Sequence, residues 1–123
     1  MIAGIGVDTA TVERIEKSIA RESFYTRVYG EAERAALDVL SPARKAQSAA
    51  GAWAAKEAFG KALGTGVSGF ELHEVQVLHD EKGAPYYAFS GRAAAIVESA
   101  GLKAHLSLTH EGGFATAFAV LER

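Results

Sequence analysis

With 123 residues the chain has room for one domain, and for neither a second domain nor a repeat array. Apolar residues make up 49% and charged residues 23%, an ordinary globular balance, and the formal net charge of −2 disfavours a generic nucleic-acid binder. Zero cysteines exclude a disulfide framework, a thiolate metal site and a cysteine nucleophile. No apolar run approaches the roughly 18 residues of a spanning helix, and Met1 to Asp8 lacks the basic region and long apolar core of a signal peptide. A soluble, cytoplasmic protein is expected, with neither membrane nor nucleic acid as partner.

Ile2 to Val7 is a short apolar run that predicts a buried strand. Strand alternation puts Gly4, Gly6 and Asp8 on one face, so a neighbour can approach the backbone closely beside Asp8. Thr9 or Thr11 is positioned to cap a helix running to about Glu22. Its stripe of Val12, Ile15 and Ile19 faces inward, and Arg14, Lys17 and Arg21 fall on the opposite side. A loosely helical stretch follows, from Phe24 through Tyr29 and then Glu31 to Leu40.

Ser41-Pro42 is a helix start, with Ser as N-cap and Pro at the first position, and Gly64 is a stop after Leu63. That predicts about 33 Å of helix, made helix-prone and slim by nine alanines. After a glycine-rich loop, 64–69, the pattern predicts strands at Glu74–His79 and Ala84–Phe89. A short helix from Ser90 to near Gly101 follows, and then a hairpin of Ala104–Thr109 and Phe114–Leu121. Pro85 belongs at an edge or a strand start. The order is strand, helices, strands, which favours an α+β fold with the long helix against a mainly antiparallel sheet.

The motifs that point to chemistry are few. Gly4-Ile5-Gly6 lacks the third glycine of a dinucleotide fingerprint, and no phosphate loop of the Walker type occurs. The histidines at 73, 79, 105 and 110 show no metal-ligand spacing. Trp53, Glu57 and Lys61 share one face of the long helix. The plain reading of Glu57 and Lys61 is a solvated ion pair. The sharper one is that Asp8 and Glu57 together hold Mg²⁺, with Lys61 facing the same phosphates. The Arg14, Lys17, Arg21 stripe reads as a solvated face or as a docking surface for an acidic partner.

Taken together, Gly4-Ile5-Gly6-Val7-Asp8, Glu13-Arg14-Ile15 and the run from Trp53 through Gly66 resemble the small holo-[acyl-carrier-protein] synthase family of 4′-phosphopantetheinyl transferases. Arg27-Val28 with Glu33, Asp80 with Gly83 and Pro85, and Ser107-Leu108-Thr109-His110 extend the resemblance over essentially the whole chain. It implies transfer of phosphopantetheine from coenzyme A to a serine of an acyl carrier protein, or of a carrier domain in a fatty acid synthase. It also implies Mg²⁺ dependence and a homotrimer with interfacial active sites. Asp8 and Glu57 match metal ligands, and Lys61 matches the lysine at the pyrophosphate. The coenzyme site is expected to draw on Arg44, Lys45, Lys61, Gly64, Pro85, Ser107 and His110, the last two from the neighbouring subunit. Arg14, with Lys17 and Arg21 beside it, matches the contact to the carrier's acidic helix. Glu57, a metal-bound water or His110 is the general base.

Two departures from the family pattern stand out. Ala52 replaces an arginine of the coenzyme phosphate site, for which Arg44 or Lys45 can substitute. Gly30 stands where a serine or threonine would cap the helix at Glu31–Leu40. The rival function is a non-catalytic module that binds an acidic helical partner through Arg14, Lys17 and Arg21. A third is a binding protein for nucleotide-like phosphates.

Overall fold

The computed structural model describes all 123 residues. Strand β1 (Ile2–Thr11) runs past Val7, because its partner strand carries complementary small residues to the end: Thr9 lies opposite Thr116, and their hydroxyls are 3.0 Å apart. The cap of the next helix is therefore Thr11, but its side chain makes no capping bond. Instead the Val12 N–H donates to the Gly113 carbonyl in a distant turn, at 2.9 Å. Helix α1 (Val12–Ile19) ends earlier than expected. Arg21 is extended and begins α2 (Glu22–Val28), which tucks Phe24 beneath Trp53 with ring centroids 5.7 Å apart. The basic stripe thus spans two elements rather than one.

Helix α3 (Glu31–Asp38) shows how a glycine can replace a capping side chain. Gly30 leaves room for Gln76, whose Oε1 accepts the Glu33 backbone N–H at 3.0 Å in place of the missing serine. A Cβ at Gly30 would meet the Gln76 side chain at 2.4 Å, so the two positions exclude a bulkier pair. Helix α4 (Pro42–Leu63) starts and stops as its sequence dictates. Ser41 Oγ accepts from the Arg44 N–H at 3.4 Å, and Gly64 takes the left-handed conformation at φ 84°.

A single 3₁₀ turn (Leu72–Glu74) leads into β2 (Val75–His79), β3 (Pro85–Phe89), α5 (Gly91–Ser99), β4 (Lys103–Glu111) and β5 (Phe114–Glu122). Every pairing is antiparallel, so the class is α+β as expected. The strands nonetheless form two sheets, β1-β5-β4 and β2-β3, on different flanks of α4. Ala115, Ala117 and Ala119 of β5 are fully buried, and β5 together with β1 packs against the helix. Gly4 and Gly6 bring β1 so close that an added Cβ would lie 2.0 Å from the carbonyl oxygens of Ala62 and Ala58. The other face of this sheet is open and apolar: Ile5, Val7, Phe114 and Phe118 are all exposed.

The second flank is polar at its centre. Lys56 and Glu33 form an ion pair at 2.8 Å with 0% and 1% of their side chains exposed. Lys56 also donates to the carbonyls of Leu72 and Val75, while Glu33 accepts the Gly30 and Val77 N–H groups, each at 2.9 Å. Burial draws the Lys56 ammonium below its ordinary pKa, and the Glu33 charge pulls it back up.

Candidate active site

Asp8 sits where β1 passes the last turns of α4, four residues along from Gly4 on the same strand face. The glycine approach that allows this contact also sets the carboxylate beside the helix. Lys61 Nζ donates to Asp8 Oδ1 and to the Val7 carbonyl, both at 3.0 Å. The plain alternative, a solvated pair of Glu57 with Lys61, does not form; the ammonium lies on Asp8 instead. Partial burial raises the Glu57 pKa above the usual carboxylate range, the Asp8 charge raises it further, and Lys61 opposes both. Two carboxylates and one ammonium therefore share one electrostatic cluster.

The donor chemistry fits Mg²⁺. Both carboxylates are hard oxygen ligands, and no third His, Cys, Asp or Glu gathers into a cage with them. Mg²⁺ suits such a sparse set, because it completes its shell from water and substrate phosphates. Mutual repulsion between Asp8 and Glu57 is the unbalanced charge that a cation would relieve.

The remaining predicted residues do not assemble around this cluster within one chain. His110 Nε2 lies 2.9 Å from the Gln47 carbonyl. A carbonyl can only accept, so Nε2 carries the proton there. Gln47 precedes Glu57 by ten residues, or about 15 Å along the helix. Ser107 and His110 alternate to opposite faces of β4, Ser107 with the open apolar side and His110 over Gly51 of α4. Gly64 ends α4 beside the cluster, and Pro85 opens β3 opposite His79.

Arg44, Ser48 and Ala52 line a cleft of about 670 Å³ between α3, α4 and the β2-β3 hairpin, on the other flank of α4 from Asp8. Arg44 thus shares a wall with Ala52, as a substitute cation must. Lys45 does not: it is held by Asp38 at 3.0 Å and lies over the Tyr25 ring at 4.6 Å. Of the basic stripe, Lys17 pairs with Glu13 at 3.3 Å and the Arg21 guanidinium lies 5.7 Å from the Phe24 ring centre. Sequence reasoning gave Lys56 and Glu33 no role of their own. The available signal was a lysine amid the alanines of a helix expected to be central.

Comparison with known proteins identifies the family. The model of the 4′-phosphopantetheinyl transferase superfamily matches residues 4–119. A holo-[acyl-carrier-protein] synthase of Aromatoleum aromaticum is 44% identical, with 100% of this chain and 99% of that protein aligned. The same-named protein of Geobacillus sp. is 37% identical over 100% of this chain and 98% of its own length. Among solved structures, the Bacillus anthracis holo-(acyl-carrier-protein) synthase in complex with CoA (3′,5′-ADP) is 35% identical. It superposes with a TM-score of 0.83 over 98% of this chain and 96% of that one. The Neisseria meningitidis enzyme is 28% identical with a TM-score of 0.87, and each chain is covered completely. On sequence and fold alike, the chain belongs to the holo-[acyl-carrier-protein] synthase family of the 4′-phosphopantetheinyl transferase superfamily.

Proposed function

We infer that this chain is a transferase that moves the 4′-phosphopantetheine group of coenzyme A onto a serine hydroxyl of an apo acyl carrier protein. One observation carries the assignment of residues: Asp8, Lys61 and Glu57 meet where β1 crosses α4, in a chain aligned end to end with synthases of that name. The serine oxygen bonds to the phosphorus nearer the pantetheine arm. The P–O bond to the adenosine side breaks, and adenosine 3′,5′-bisphosphate leaves.

Lys61, half exposed at the mouth of the cluster, offsets the charge that grows on the departing oxygen. Glu57, in the same cluster, is the carboxylate we assign to receive the serine proton, directly or through a water. Mg²⁺ held by Asp8 and Glu57 would supply charge neutralisation on the pyrophosphate. Arg44 in the large cleft takes the part of the cation absent at Ala52.

His110 and Ser107 reach such a site only from a neighbouring copy. The open apolar face at Ile5, Val7 and Phe118 gives that neighbour a surface to cover, which supports a homotrimer. Arg14, Lys17 and Arg21 lie on α1 and at the start of α2, where they attract the carrier's acidic helix. The setting is cytoplasmic fatty acid synthesis.

The test is the intact mass of an apo carrier protein incubated with this protein, coenzyme A and Mg²⁺, beside a chelated control. A gain of one phosphopantetheine that chelation abolishes, and that Asp8→Ala reduces at least about a hundredfold, is expected. Activity that survives both treatments removes the metal assignment. Arg14→Glu is expected to raise KM for the carrier severalfold with little change in kcat, an effect that fades at high salt.

A further inference from the structure

We propose that Glu33 and Lys56, which touch no reacting atom, are positioning residues for transfer: they fix the rotation of α4 so that Glu57, the next residue, stands beside Asp8. The proposal rests on the functional reading of Asp8 and Glu57 given above.

The need for such a device follows from the other flank of the helix. There α4 meets β1 through Gly4, Gly6, Ala58 and Ala62, so backbone lies against backbone. Interlocking side-chain ridges are what normally select one helix orientation. A glycine–alanine contact has almost none: it is tight and fixes how near α4 lies to β1, so the directional contacts of the helix come from Lys61, on Asp8 and the Val7 carbonyl, and from the opposite flank. Glu57 is about 100° around the helix from Lys56, so a rotation that leaves the core filled still carries its carboxylate away from Asp8.

Lys56 supplies the direction from that flank. An ammonium has three N–H donors in fixed tetrahedral directions. All three are used, on Glu33 Oε1 at 2.8 Å, the Leu72 carbonyl at 3.0 Å and the Val75 carbonyl at 2.6 Å. Glu33 is itself anchored by the Gly30 and Val77 N–H groups. The helix is therefore pinned simultaneously to α3, to the 3₁₀ turn and to β2. Two tyrosine hydroxyls add to the register, Tyr29 on the Ala49 carbonyl and Tyr87 on the Ala55 carbonyl. Stability alone does not account for the choice, because a well-packed apolar pair of similar volume is often as stable as a buried ion pair. A directional lock does.

The experiment compares wild type, Lys56→Met and Glu33→Gln for kcat and for KM toward coenzyme A and carrier. Each is assayed at a temperature where circular dichroism shows it fully folded. The expected result is a kcat at least about tenfold lower in Lys56→Met, and at least about threefold lower in Glu33→Gln, with both KM values within about threefold of wild type. A kcat per folded enzyme within twofold of wild type, whatever the fall in Tm, would make the pair merely structural and overturn the proposal. Should Lys56→Met fail to fold at any temperature, Glu33→Gln decides by the same criterion. Wild type that transfers nothing sinks the functional reading instead, so the two failures are distinguishable.

Discussion

The two flanks of α4 achieve burial by opposite means. Toward β1 and β5 the helix presents alanines to glycines and alanines, with contacts so close that no side chain could be added. Toward α3 and the β2-β3 hairpin it presents a charged lysine, received by a glutamate and two carbonyls. The first contact sets how near Asp8 lies to the helix and contributes few directional bonds beyond those of Lys61. The second is costly in desolvation and fixes direction. Proximity and orientation of the cluster thus come from different halves of the molecule.

This contrast predicts a graded set of responses. The largest is expected at Lys56→Ala, which strands the Glu33 carboxylate in the interior and should cost about 3–5 kcal/mol. Urea unfolding measures it, and a loss below about 1 kcal/mol would mean that water or another cation reaches Glu33. On the smooth flank, Gly6→Ala places a methyl against the Ala58 carbonyl at 2.0 Å. The helix must then move off the strand, at about 1–3 kcal/mol. Transfer activity should fall further than stability does, since Asp8 and Lys61 separate with the same movement. A variant with native stability and native activity would show that β1 is not held as closely as described.

The smallest effect reverses the usual sign. The folded-state pKa of Glu57 is raised, first by burial and then by Asp8. Folding therefore favours its protonated form, and stability is lost as pH rises through that folded value. Glu57→Gln should raise Tm slightly at neutral pH, and the gain should vanish as pH drops below the ordinary carboxylate range. Thermal melts across that window check it, and a variant less stable than wild type at neutral pH contradicts it.

Local signals carried much of the fold. Ser41-Pro42 and Gly64 bracket α4 because capping chemistry is short-ranged, and alternation in β1 correctly put Gly4, Gly6 and Asp8 on one face. The break at Arg21 was not legible. Nothing local separates α1 from α2; the packing of Phe24 under Trp53 does. Gly30 likewise looked like a weak cap, because the oxygen that replaces its side chain comes from Gln76, a residue 46 positions away. The candidate site was half legible. Asp8, Glu57 and Lys61 are all named from sequence, but the partner of Lys61 is not legible there, since helix spacing offers Glu57 and only strand placement offers Asp8.

By itself, then, the amino-acid sequence determined what local physics can determine here: the caps of α4, the strand faces and turns, and the family to which the motifs are similar. The tertiary structure decided which charges meet. It set Lys61 on Asp8, buried Lys56 against Glu33, held Lys45 on Asp38 and laid His110 on the Gln47 carbonyl over Gly51. The reason is physical. Capping and alternation act over a few residues, whereas charge pairing depends on distances through space that only the packing of glycine strand on alanine helix establishes.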